Sequence, residues 1–183
     1  MFKVLEGATA PTRATKYSAM VDLYANADVV IGAGETKIIP LGVKIDLSDI
    51  DDMLNGDNYP LGACEKAFKS THYLSLYPRS SLRAKGLIIG VGVIDLDYPD
   101  ELGLIVHNPL NEFHIDVISN DVYRKGDGLH IKTNMPYAIN KGDKIAQCTL
   151  VEHKGYLMGI ESETERTGGF GSSNKWPHEK KQN

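Results

Sequence analysis

The run Pro78-Arg-Ser-Ser-Leu-Arg-Ala-Lys-Gly86 gathers a guanidinium at Arg79, hydroxyls at Ser80 and Ser81 and two further cations into one short segment. Arginine offers a planar fork of donors matched to phosphate oxygens, and serine hydroxyls with freed backbone N–H groups can converge on the same oxygens. The segment is a candidate oxyanion cradle, although for Arg-Ser-Ser by itself a solvated turn is the better account. A second run, Gly90-Val-Gly-Val-Ile-Asp-Leu-Asp-Tyr98, opens with glycines that let a ligand come close to the backbone and ends in two carboxylates and a phenol. Asp95, at the end of an apolar stretch, is placed to orient and deprotonate a water. Capping of a turn before Pro99 by Asp95 and Asp97 is the competing account. Lys141-Gly-Asp-Lys-Ile-Ala-Gln147 reads as a turn feeding a strand, with Gln147 either a phosphate donor or a satisfied core amide. Arg166-Thr-Gly-Gly-Phe-Gly-Ser-Ser173 joins a cation, a glycine-rich run and one aromatic ring. Such tails are usually disordered. The ring at Phe170 can nevertheless stack on a base while Arg166 reaches a terminal phosphate.

Short strands must position these groups. Eighteen glycines in 183 residues, recurring turn signals and short β-branched runs predict an all-β sandwich or barrel with little helix. The predicted strands are Thr36 to Leu47, His72 to Tyr77, Leu87 to Val93, Leu102 to His107, Glu112 to Ile118 and Lys144 to Val151. Leu102, Leu104 and Val106 share one face by alternation, as do Phe113, Ile115 and Val117. Tyr123 to His130 reads as a hairpin tip because Gly126 and Gly128 supply positive φ. A cap at Ser48 or Asp49 and a short helix from Leu61 to Lys69 are the exceptions to the β pattern. From Glu161 onward the chain is polar and aperiodic, which predicts a mobile tail. One β domain over residues 1–160 and a flexible tail over 161–183 is the expected organisation.

The bulk properties narrow the partners. A formal net charge of −4 gives no general electrostatic reason to bind nucleic acid, so an anionic ligand needs a local site. Cys64 and Cys148 follow no CxxC or Cys/His spacing, which argues against a disulfide framework and a structural zinc. No apolar run has the length of a membrane span or a secretory core, so a cytoplasmic protein without membrane attachment is expected.

Taken in order, the segments resemble the five motifs of the trimeric dUTPase family over nearly the whole chain. Ser18-Ala-Met-Val-Asp-Leu-Tyr24 resembles the first motif, Pro78 to Gly86 the second and Gly90 to Gly103 the third. Gly142-Asp-Lys-Ile-Ala-Gln147 resembles the fourth and Arg166 to Ser173 the fifth. The resemblance implies a distorted β-barrel or jelly roll that assembles as a homotrimer with shared active sites. It implies hydrolysis of dUTP to dUMP and pyrophosphate by water attack on the α-phosphorus, which limits uracil in DNA and supplies dUMP for thymidylate synthesis.

The same resemblance assigns residues. Asp95 would activate the water, and Tyr98 would pack beneath the sugar and exclude a 2′-hydroxyl. Backbone groups from Gly90 to Val93, with Ile94 beside them, would read uracil. Arg79, Ser80, Ser81 and Gln147 would hold the phosphates, Arg166 the γ-phosphate, and Phe170 with Gly171 would close over the base. Mg2+ would ride on the triphosphate oxygens, with Asp22 touching it through water only. Segments 48–70 and 116–137 look like insertions, and surface embellishment is their expected role. The fifth motif is one residue shorter than the common pattern, and Met20-Val21 and Pro99-Asp100 depart from it as well. The related dCTP deaminases share the fold but place a glutamate where this chain has Ile105. An aliphatic residue cannot shuttle protons, which weighs against deamination.

Overall fold

The structure is a computed structural model that describes residues 1–50, 63–109 and 136–160. Ten strands run in the order β1 (Phe2–Val4), β2 (Val21–Tyr24), β3 (Val29–Ile31), β4 (Thr36–Pro40), β5 (Val43–Ile45), β6 (His72–Pro78), β7 (Gly92–Asp95), β8 (Gly103–His107), β9 (Tyr137–Ile139) and β10 (Lys144–Glu152). Helix α1 (Ala63–Thr71) precedes β6, α2 (Ser80–Ala84) follows it, and a 3-10 turn spans Gly155–Met158. Every pairing among the described strands is antiparallel. One four-stranded sheet has the order β2-β10-β6-β7, and three two-stranded sheets pair β1 with β5, β3 with β9 and β4 with β8. The expected β-rich, jelly-roll-like architecture is present, with no closed barrel among the described strands.

The core follows from alternation. Leu102, Leu104 and Val106 are all essentially buried while Ile105 between them is 51% exposed, as the period-2 pattern required. They join Leu23, Ile31, Ile39, Val43, Leu74, Leu76, Ile139 and Ile145 in one apolar cluster between the sheets. Burial of this kind contributes about 25 cal/mol per Å² of apolar surface and is the main force holding the small sheets together. Cys148 lies in the same cluster, and burial pushes its thiol up to about 12. Both cysteines are buried.

Two predicted strands changed. Thr36 to Leu47 is two strands, because the chain turns at Gly42, whose φ is 69°. A Cβ there would lie 2.3 Å from that of Ala8, so only glycine fits. The carboxylate of Glu101 accepts the Gly42 N–H at 2.7 Å and the Asn26 amide at 3.2 Å, fixing the corner where the chain passes between sheets. In Leu87 to Val93, only Ile88 bridges to His107, and the regular ladder begins at Gly92 and ends at Asp95. The helix read from Leu61 to Lys69 is present as α1, where Phe68 joins the core and stacks on His72 at 4.3 Å. This half of the predicted insertion is therefore tied to the core. The expected strand at Glu112 to Ile118 and the hairpin tip at Tyr123 to His130 lie outside the described residues, as does most of segment 116–137. Among the described residues no helix is long and apolar enough to cross a membrane.

Candidate functional site

Three strands of the large sheet build a charged cradle. On β10, Gln147 stands opposite Asp22 of β2 on one side and Tyr77 of β6 on the other, so the three side chains share a row and a face. Asp22 is 4% exposed. Its Oδ1 accepts from Nη1 of Arg79, and its Oδ2 accepts from Nζ of Lys144 at 3.3 Å. Arg79 is the residue at which β6 gives way to α2, and its backbone N–H donates to Ile145 O at 3.0 Å. Ser80 and Ser81, expected on a plain turn, instead open α2 and are exposed. Helix geometry leaves first-turn N–H groups without helical acceptors, so hydroxyls and amides stand together beside Arg79.

The electrostatics of the cradle are lopsided. The cationic side chains are 35% and 43% exposed while the carboxylate between them is 6% exposed. Hydrogen bonding to Asp22 first, then to Tyr24, holds the Lys144 ammonium above the ordinary lysine range. Its Nζ also lies 5.6 Å from the centre of the Tyr24 ring, and the Tyr24 hydroxyl is 2.6 Å from Thr12 Oγ1. An anion from solvent thus meets two cations, with the compensating charge hidden behind them. Sequence reasoning named Asp22, Arg79, Ser80, Ser81 and Gln147 but gave Lys144 no role. Its position three residues before Gln147 would put it on the opposite face of a regular strand, and only the structure shows otherwise.

A second feature is apolar. Gly90, Val91, Gly92, Val93, Ile94 and Tyr98 meet Leu76, Leu102, Gly103, Leu104 and Ile105 around a cavity of about 360 Å³. Apart from Tyr98 its lining side chains are aliphatic, so the other polar groups at the cavity are those of the backbone. The two glycines of the hairpin differ. A Cβ on Gly92 would approach Leu76 Cβ to 3.3 Å, whereas one on Gly90 would meet nothing within 4 Å. Gly92 is packed closely against Leu76, and Gly90 faces open space. Tyr98 is 7% exposed and forms part of the wall.

Asp95 belongs to neither feature. It is exposed at the end of β7, opposite Tyr73 on β6. From Tyr73 to Arg79 is six residues along the chain, a run of about 20 Å at strand rise. One chain therefore does not bring Asp95 to Arg79. Arg166, Phe170 and Gly171 lie outside the described residues. Among the described residues no group of three or more His, Cys, Asp or Glu side chains could hold a metal ion. Asp22, expected to touch metal-bound water, has each oxygen engaged by a cation.

The chain is similar to proteins of one known family. A sequence model of the dUTPase family matches residues 58–119. The deoxyuridine 5′-triphosphate nucleotidohydrolase of Lactococcus lactis is 30% identical over 176 residues, covering 91% of this chain and 89% of that one. A structure of Staphylococcus bacteriophage 80alpha dUTPase with dUpNHpp superposes with a TM-score of 0.57 at 25% identity, covering 94% of this chain and 96% of that one. The phage phi11 dUTPase of S. aureus, described with a structural Mg(II) ion, gives a TM-score of 0.54 at 23% identity, covering 94% and 98% of the two chains. With the same strand architecture and a relative matched at this identity across nearly its full length, the chain belongs to the dUTPase family.

Proposed function

We propose that the protein hydrolyses dUTP to dUMP and pyrophosphate in sites shared between identical subunits of a trimer. The observation that carries this reading is the pairing of an outward-facing cationic cradle at Asp22, Arg79 and Gln147 with an apolar, backbone-edged cavity at Gly90 to Tyr98. A triphosphate suits the first and a nucleobase with its sugar suits the second. Attack on a phosphorus crowded by negative oxygens depends chiefly on positioning and charge neutralisation, which such parts supply.

In this reading Arg79, Ser80, Ser81 and Gln147 hold the phosphates. Gly90, Val93 and Ile94 present backbone groups to uracil. Tyr98 walls off the space a 2′-hydroxyl would need. Asp95 takes the proton of the attacking water, and because it lies about 20 Å along β6 from Arg79 of its own chain, it serves the cradle of a neighbouring subunit. Arg166, Phe170 and Gly171 of the tail would close the site over the γ-phosphate and base. Mg2+ bound to the triphosphate oxygens would spread the phosphate charge. The residues fit a metal that arrives with its substrate: the described side chains offer no cage, and the cradle's surplus is positive. Arg79 drawn onto the phosphates would release one Asp22 oxygen to accept from water around the metal.

Ile105 lines the cavity, so no carboxylate stands there to move protons onto a cytosine amine. The test is pyrophosphate and ammonia release from dUTP, dCTP, dTTP and UTP with magnesium. Pyrophosphate from dUTP alone is expected, and Asp95→Asn should abolish turnover while sparing dUTP binding. Ammonia from dCTP, or binding of dUTP without turnover in the wild type, would overturn the reading.

A further inference from the structure

Asp95 is the base of the proposed reaction, yet it stands exposed at the outer edge of its sheet. Among the described residues β7 is the last strand in the order β2-β10-β6-β7, so Asp95 has a strand neighbour on one side, Tyr73 of β6. Paired residues of antiparallel strands project from the same face with Cβ atoms about 4.5–5.5 Å apart, which sets the half-buried Tyr73 beside the Asp95 side chain. The backbone of Asp95 is fixed, because its carbonyl accepts the Tyr98 N–H at 3.1 Å. What remains to be set is the rotation about its side-chain bonds, where an aspartate has several staggered choices.

Tyr73 is suited to set it because it is itself braced. On its other side it faces Val151 of β10, and its ring lies 6.2 Å from that of His153 at a tilt of 41°. His153 is held in turn: its backbone N–H donates to Thr71 O at 2.7 Å, and its Nδ1 accepts the Gly155 N–H at 3.1 Å. The residue before Tyr73, His72, stacks on Phe68 of α1 with ring centres 4.3 Å apart. The end of α1, the start of β6 and the end of β10 thus converge on one tyrosine beside the proposed base.

We propose that Tyr73 is a positioning residue for Asp95: its ring, backed by Val151 and His153, holds the carboxylate in the rotamer that meets the attacking water. A general base must reach its water within about 2.6–3.2 Å, and a displacement of about 1 Å can cost on the order of 10²-fold in rate. The ring supplies shape and not a proton, so phenylalanine can stand in its place. The inference rests on the dUTP-hydrolase reading, in which Asp95 takes the proton, and adds to it the means by which an exposed carboxylate is kept aimed.

The experiment measures dUTP turnover and, separately, binding of a non-hydrolysable imido analogue of dUTP, with magnesium and the full-length protein. Tyr73→Ala should lower kcat by about tenfold while KM and analogue affinity change by less than about twofold. Tyr73→Phe should recover most of the lost kcat. In an Asp95→Asn background, Tyr73→Ala should lower residual turnover no further, because its effect passes through the carboxylate. Tyr73→Thr keeps β propensity and gives the same comparisons if the alanine variant fails to fold. Unchanged kcat in Tyr73→Ala, a phenylalanine variant as slow as the alanine one, equal losses of kcat and analogue affinity, or additive losses with Asp95→Asn each overturn the role of Tyr73 and leave the parent reading standing. A wild type that binds the analogue but does not turn over dUTP overturns the parent reading and this one with it.

Discussion

The cradle and the cavity share strand β6 yet are made of opposite materials. At the cradle, long charged side chains are tethered to a buried carboxylate, and the polar groups on offer belong to side chains. At the cavity, the side chains other than Tyr98 are aliphatic walls, and the polar groups on offer are those of the backbone, beside the open space at Gly90. Charge gives strength that is tolerant of geometry, since Coulomb attraction falls slowly with distance. Backbone hydrogen bonds within tight walls give discrimination, because a misfitting base leaves polar groups unpaired. The two regions therefore differ in chemistry and can be perturbed separately, and Asp95 belongs to neither of them.

The strongest way to break that comparison is to separate the regions between chains. Asp95→Asn and Arg79→Ala should each lower turnover by about 10²- to 10⁴-fold as pure proteins. Unfolded together and refolded as mixed trimers, they should recover about a quarter of wild-type activity, since random pairing reunites an intact Arg79 with an intact Asp95 in that share of interfaces. A mixture no more active than its components would place the whole site in one chain. Next in size, Gly90→Ala should weaken dUTP binding by about tenfold with an unchanged melting temperature, because the added methyl enters the ligand's approach and touches nothing in the protein. Gly92→Ala should do the reverse, lowering unfolding stability by about 1 kcal/mol through its approach to Leu76. Calorimetry on both variants checks the pair.

An effect confined to high pH comes from the row that joins the regions, where Cys148 lies opposite Val21 on one side and Leu76 on the other, and Leu76 lies opposite Gly92. Burial raises its folded pKa from 9.0 to about 12, so the folded state retains a proton that the unfolded chain gives up. Its contribution to stability is whole below pH 9 and disappears as pH rises toward 12. Denaturant titrations between those values should show a shallower pH slope in Cys148→Ala than in the wild type, and identical slopes would mean that the thiol is not held protonated.

Sequence reasoning picked out residues that the fold gathers at one cradle and one cavity, and it read the β-rich architecture without all of its strands. Arg79, Gln147, Gly90 and Tyr98 were recognisable because their residue types are unusual beside their neighbours, and Leu102 to Val106 because five residues suffice for alternation to register. The strands β1, β2, β3 and β9 were missed because each has only three or four residues, too few for a period to emerge. The break at Gly42 and the bulge at Ile145 were hidden for another reason. Each depends on a partner far along the chain, Ala8 and Glu101 in one case and the β2 register in the other. The distance between Asp95 and Arg79 was likewise unreadable, since it is set by strand pairing.

The cradle also has a history in time. Asp22 meets Arg79 across 57 positions and Lys144 across 122. Loops of that length close late, after local structure has formed. A chain emerging from synthesis carries the buried carboxylate long before either cation can reach it, and none that stops short of β10 holds the complete charge pattern. The charge pattern of the cradle is therefore completed only when the last long strand has been made and paired.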